Sequence, residues 1–456
     1  MSLYQPPDIE ENVFDVNEHG YPPTKPSRSK SNYLVVDLGQ WTDRALGLAF
    51  NALVTASTEA TGYVHGTTLK WGLAREGRLR FNANLRLFSA TKGVLSVNGP
   101  VVNVIFIISI ILSYAASSTV LLHSSILPGF LGGGDQVPTS VIYFLPPIIL
   151  GTTLILQAIL GLIAFFNTHV PTWSSSPLDI TSALVHHNYI HHQPQRCMRS
   201  VSKTNDTSTD PIRPLSRQPS AWSSHKTVAR VVWFVWGAPV IWVGWIFIWM
   251  YALPYGLSSG GGVTPLRVVG LGLLRLSGVQ SIVTVVLHCC ELVTTLARDE
   301  AVWRAASTPA GARPAGNPLK AVLRSWQSVV LLLAKPSIHW FFGINVGMGF
   351  STGVQITYLA VFFPIVLFFV AVFITVASTR RPSGPQPVAY GHVQTLADLV
   401  DEWSVTMYWG HKEDRVLGQP WPVRHAGTTK DGPLPPIRME EFYAWRESEV
   451  SLLQNA

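Results

Sequence analysis

The sequence predicts an all-α polytopic integral membrane protein with about six transmembrane helices and cytosolic interfacial helices. Three observations predict it. Apolar residues gather into long runs such as "VVNVIFIISIILSYAASSTVLL" (101–122), which carries no charge; about 20 such residues cross a hydrocarbon layer about 30 Å thick. Charged residues are only 13% of the chain while tryptophan reaches 16 copies, a composition that fits spans better than a large soluble core. Lysine and arginine also alternate between the connections, as the positive-inside rule requires.

Taken in order, residues 1–44 are polar and rich in proline, with no sustained apolar period, and read as disordered. Residues 45–98 read as a cytosolic or interfacial basic segment, because "ALGLAFNALVTAS" (45–57) is short for a crossing. Within it, residues 69–88 mix Trp71, Leu73, Leu79 and Phe81 with Lys70, Arg75, Arg78, Arg80 and Arg86. Such a stretch can rest its apolar side on a bilayer while its cations meet anionic lipid headgroups.

The transmembrane region is placed at 99–378, with spans near 101–122, 141–166, 231–252, 276–296, 328–350 and 356–378. Pro146 and Pro147 should kink or shorten the start of the second. The third carries five tryptophans toward its ends, as an aromatic belt would. Segment 328–350 is interrupted by Lys335–Pro336 and could cross, re-enter or lie in the interface. Six Lys/Arg fall between Lys70 and Lys92 and seven in the loop 167–230, whereas 123–140 and 253–266 have none. The alternation predicts two cytosolic ends, hence an even number of crossings. The tail 379–456 contains an amphipathic helix at 391–404, whose Val393, Leu396, Leu399, Val400 and Trp403 oppose Asp398, Asp401 and Glu402. It should pack on residues 69–88 or on a partner protein.

The net charge of +7 does not point to nucleic acid, since the basic residues border the spans and no nucleic-acid motif is present. Cys197, Cys289 and Cys290 offer no disulfide framework.

Two constellations could carry chemistry. In "HHNYIHHQPQRC", His186, His187, His191 and His192 crowd seven positions. "SPLD" (176–179) reads as a capped helix start, and on a helix running to Pro194 His187 and His191 share a face. The spelling of His187, His191 and His192 matches one box of the membrane desaturases, whose imidazoles bind iron. That chemistry needs about eight histidines in three boxes, and the other ten here are scattered singly. A histidine-rich surface helix explains the stretch better than a metal-dependent oxidoreductase does. The second constellation is "LHCCELV" (287–293) with "AKPSIHW" (334–340). His288 and Glu291 share a face of the fourth span, and Lys335 and His339 share a face of the next segment. Ionisable groups at membrane depth are costly, so Glu291 should pair with Lys335 or His339. The plainer reading is an interhelical clamp with Lys335 snorkelling; the sharper one is a proton- or solute-coupled site.

Several phrases resemble a family of multi-pass membrane proteins of filamentous fungi: "HGTTLKWGLAREGRLRFNANLRLF" (65–88), "WSSSPLD" (173–179), "RCM" (196–198), "LHCCELVTTLARDEAVWR" (287–304), "KPSIHWFFG" (335–343) and "YGHVQTLADLVDEWSVTMYWGHK" (390–412). The resemblance implies a polytopic architecture and no particular reaction. No nucleotide-binding loop or nucleophile elbow occurs, and no cofactor is implied. The leading expectation is therefore a non-enzymatic scaffold or accessory factor acting through its cytosolic segments. A transporter or channel using Glu291, Lys335 and His339 is the alternative.

Overall fold

A computed structural model describes residues 33–36, 40–83, 88–120, 122–123, 140–204, 206, 208, 210–251, 265–313, 317–323, 325–346, 353–413 and 423–444. It is a helical membrane protein, with few strands. Among the described residues, five helices are long and apolar enough to cross a membrane. These five are α2 (Pro100–Ser117), α3 (Leu145–Asn167), α6 (Lys226–Tyr251), α7 (Pro265–Arg304) and α10 (Gly353–Thr379). Pro146 and Pro147 lie in the first turn of α3, where the missing N–H costs nothing. They shorten the expected span, because Ser140–Tyr143 forms a strand, β3, instead.

Two more helices complete the bundle. The segment around Lys335–Pro336 is one continuous helix, α9 (Trp326–Val346). It packs on α1, α7 and α10. The larger departure is α1 (Gln40–Arg75), a single helix of 36 residues packed along α2, α3 and α9. At 1.5 Å per residue it is about 54 Å long. Residues 40–75 are therefore not the interfacial segment expected from 45–57. Hydropathy hides α1 because its buried side includes Asn51, Thr55, Thr58, Thr67 and Thr68.

The hydrogen bonds fix the direction of α1. Near its start, Trp340 Nε1 from the far end of α9 donates to the Arg44 carbonyl at 3.1 Å. Near its end, Trp71 Nε1 donates to the Thr172 carbonyl, just past α3, at 3.1 Å. Ahead of α1, strand β1 (Tyr33–Val36) pairs antiparallel with β3, which also pairs with β2 (Leu122–His123). The chain thus begins, as described, at the bundle end that holds the α2–α3 connection. The tail lies at the opposite end. Among the described residues, α1 and α9 join the five apolar helices in one bundle.

At the tail's end of the bundle, a folded layer covers the helices. It contains α4 (Pro177–His186), α5 (Ala221–Ser224), α8 (Pro318–Leu323), α11 (Val393–Leu399) and the hairpin of β4 (Tyr408–Glu413) and β5 (His425–Thr429). Its core includes Leu178, Cys197, Met198, Trp303, Leu396, Met407, Trp409 and Tyr443. Trp71, Leu73 and Leu79 are buried against Ile180, Leu184 and Val393. Within 69–83 the apolar side chains Trp71, Leu73, Leu79 and Phe81 are thus buried inside the chain, while Phe88 is exposed. Arg75, Arg78 and Arg80 stay exposed, and Arg86 lies outside the described residues.

The tail helix is shorter than its periodicity suggests. It ends at Leu399, with Val400 already extended. Asp398 is buried rather than solvated, accepting from the Gln193 N–H at 3.0 Å and from Gln394. The helix does meet the 69–88 region, since Val393 N–H donates to the Arg80 carbonyl at 3.0 Å and Asn82 N–H to the Gly391 carbonyl at 2.8 Å. Val393, Leu396, Leu399 and Val400 are buried within this chain, and Trp403 is half-buried.

A candidate charge centre inside the bundle

Lys335 sits midway along α9 and is 5% exposed. Its Nζ donates to Glu59 Oε1 at 2.6 Å, from α1, and to Glu291 Oε2 at 3.3 Å, from α7. His288 Nδ1 lies 3.0 Å from the same Glu291 oxygen, one turn earlier on α7. A lone ammonium in such surroundings costs several kcal/mol, which close carboxylates offset. Here three helices supply the partners, so the group ties α1, α7 and α9 together. Lys70 adds a further positive charge that interacts with Glu291. The two carboxylates also stay partly open, with side chains 28% and 38% exposed against 6% for Lys335.

The expected Glu291–Lys335 pair is therefore present, whereas His339 takes no part in it. His339 Nδ1 is 2.7 Å from Gln280 Oε1, and its ring stacks on Tyr114 at 3.7 Å between centroids. Gln280 Nε2 donates to Ser118 Oγ at 3.2 Å. The Tyr114 hydroxyl reaches Thr58 Oγ1 at 3.1 Å. Further contacts continue across α2 and α3: Gln157 Nε2 donates to Ser113 Oγ at 2.9 Å, and Ser113 Oγ to Thr153 Oγ1 at 2.9 Å. Five helices thus share a polar seam, in which each buried polar group finds the partner that the lipid interior would deny it.

Glu59 was not legible as a member of this centre. A signal existed, because residues 45–69 contain one charged residue, Glu59, and no proline. That stretch is long enough to cross, and its single acid then requires a basic partner.

Below the centre, α7 anchors the tail. Glu300 Oε2 accepts the N–H groups of Ala389 and Tyr390, both at 2.9 Å, while Arg304 Nε lies 2.9 Å from its other oxygen. Asp299 Oδ2 accepts from Asn82 Nδ2 at 2.8 Å, and Lys70 Nζ donates to Asn82 Oδ1 at 3.0 Å. Gly391 packs on Asp299 with φ +71°, and a Cβ there would fall 2.5 Å from the carboxylate. Only glycine combines that backbone with that approach. Four of the phrases that carry the fungal resemblance meet at this junction.

The histidine-rich stretch does not continue as the helix expected to run to Pro194. Helix α4 stops at His186, with Asn188 in the left-handed region, so His187 and His191 do not share a helical face. His186, His187 and His191 are exposed. His192 Nδ1 lies 2.9 Å from the Ala397 carbonyl, attaching this segment to α11. Among the described residues no three His, Cys, Asp or Glu groups could hold a metal ion.

A second ionic cluster lies in the covering layer. His425 Nε2 is 2.7 Å from Asp401 Oδ2, and Lys412 Nζ reaches Asp401 at 3.2 Å and Glu402 at 2.9 Å. Burial pulls His425 down, but its contacts with Asp401 and Cys197 outweigh that and raise its pKa to about 10. Cys197 is fully buried, so the group holds the hairpin rather than meeting a substrate. Burial lowers the neighbouring His392 to about 4; this neutral ring accepts the Thr395 N–H at the start of α11.

Compared with known proteins, the chain matches no family model, no curated sequence and no solved structure.

Proposed function

We propose that this chain is a seven-helix membrane protein in which α1 and α9 cross with the five apolar helices. Its described start lies outside and its tail in the cytosol, and the bundle works as a proton-linked carrier or channel. The observation that carries the reading is the pairing of buried Lys335 with Glu59 and Glu291, two carboxylates from other helices that stay partly open. Ionisable groups inside a membrane bundle mark ion or proton paths, and the partly open carboxylates are where a proton would enter this one. The orientation rests on the lysines and arginines of the connections at the tail's end of the bundle. Membership of the fungal membrane family rests on the six phrases alone.

The scaffold reading loses the surface that first suggested it, because α11 is covered by its own chain. Exposed Arg75, Arg78 and Arg80 support contact with anionic headgroups in either case. The experiment is proton flux into proteoliposomes under an imposed potential, read by a trapped pH-sensitive dye. Wild-type protein should conduct above protein-free vesicles, and Glu59→Gln or Glu291→Gln should slow it about tenfold. Flux at the protein-free level, or flux unchanged in both variants, would contradict the reading.

A further inference from the structure

A cavity of about 580 Å³ opens at the tail's end of α7 and α9. We propose that it holds the headgroup and upper acyl chain of one anionic glycerophospholipid. The inference does not depend on the proton-linked reading.

Its wall is divided by chemistry. Arg298 and Arg313 face it, and among the described lining residues none is acidic. A guanidinium presents paired N–H donors that match phosphate oxygens, and two of them concentrate positive potential in one recess. The Ser175 hydroxyl, at the same wall, has no protein partner. The other side is apolar and smooth. Ala297 and Ala301 on α7, and Ala305 just past its end, recur every fourth residue and with Val302 line a shallow apolar trough. This pairing of cations with a trough fits an amphiphile and not a free inorganic anion.

Position supplies the second argument. Trp326 borders the cavity, is the first residue of α9 and is 62% exposed. Tryptophan at a span end marks the headgroup level. On the preceding helix Leu319 and Leu323 are 63% and 58% exposed, so this stretch offers apolar side chains to its surroundings where a lipid tail would run. The recess therefore opens at the depth where phospholipid phosphates lie.

The test uses the full chain purified from vesicles of equimolar phosphatidylcholine and phosphatidic acid, with retained lipid quantified by mass spectrometry after detergent exchange. Wild type should retain phosphatidic acid in preference to phosphatidylcholine. Two variants probe the two halves of the wall: the double change Arg298→Gln with Arg313→Gln removes charge, and Ala301→Trp fills the trough while keeping both arginines. Each should lower retention about tenfold, the consequence of losing charge-assisted contacts or the space itself. Melting temperatures near that of wild type certify folding, and a fold lost in one variant leaves the other to decide. Equal retention of the two lipids by wild type would overturn the proposal. So would unchanged retention in a folded variant, or displacement of the lipid by inorganic phosphate.

Discussion

The two halves of the helix bundle are built from different materials. Where α6 meets α10 and α7, the interior is aromatic and aliphatic: Trp242 stacks on Phe363 at 4.8 Å, with Phe342 edge-on to both. Trp236 Nε1, the polar handle there, finds Thr375 Oγ1 at 2.9 Å. Where α1 meets α2, α3 and α9, the interior is a seam of hydroxyls, amides and charges. Lipid is as apolar as the first half, so that half associates mainly through close packing. The second half is held by polar groups that have no other partner at that depth. The first half needs only shape to associate, whereas the second adds ionic contacts that tie α1, α7 and α9 together.

Substitutions at the hearts of the two halves should cost similar amounts and differ in what repairs them. Lys335→Met leaves Glu59 and Glu291 without their cation, a loss of about 3–5 kcal/mol. Trp242→Ala opens a cavity worth about 3–5 kcal/mol. Thermal unfolding in detergent should show both, but adding Glu59→Gln should restore part of the first and none of the second. If Lys335→Met unfolds no earlier than wild type, the polar half is not held as described.

Smaller effects sharpen the contrast. At Gly278 a Cβ would fall 2.1 Å from the Trp245 ring, so Gly278→Ala should separate α7 from α6 at about 1–3 kcal/mol. A melt by circular dichroism would read it, and a neutral result would show that Trp245 can move aside. Glu300→Gln weakens the acceptor for two tail N–H groups and should cost about 2 kcal/mol. Faster proteolysis of the 380–444 region, with the bundle intact, is the expected sign.

The smallest effect is on pH. His392 has a folded pKa of about 4, below its unfolded value near 6.5, so its contribution is complete above about 6.5 and is lost as pH falls toward 4. His425 has a folded pKa of about 10, above its unfolded value, so its contribution is complete below about 6.5 and is lost as pH rises toward 10. The protection of amides in α11 and the β4–β5 hairpin, taken relative to the intrinsic exchange rate at each pH, should therefore be highest near neutral pH. Protection that rises steadily in one direction would show that one of these histidines is not held as described.

The same contrast explains what the sequence reveals. The apolar helices are plain in it, because their burial in lipid demands one composition over about 20 residues. Helix α1 is obscured, since threonines and asparagine facing its neighbours lower its hydropathy while the packing that rewards them is long-range. Within the candidate centre, Glu291 and Lys335 stand out because each interrupts an apolar run. Glu59 lies among polar residues and gives no such sign. His339 shows the limit of spacing arguments: it sits one turn from Lys335 yet turns to Gln280 and Tyr114. At the tail, periodicity marks the buried apolar residues of α11 but neither its length nor the burial of Asp398 on the expected polar side.

Helix α1 carries Glu59 to Lys335, and its proposed passage across the membrane can be measured directly. Tags of identical sequence at the two ends of the chain, in sealed vesicles exposed to protease, report on which side each end lies. One tag should be cut at once and the other only after detergent opens the vesicles. Two tags cut together, or two protected together, would place both ends on one side and remove α1 from the membrane.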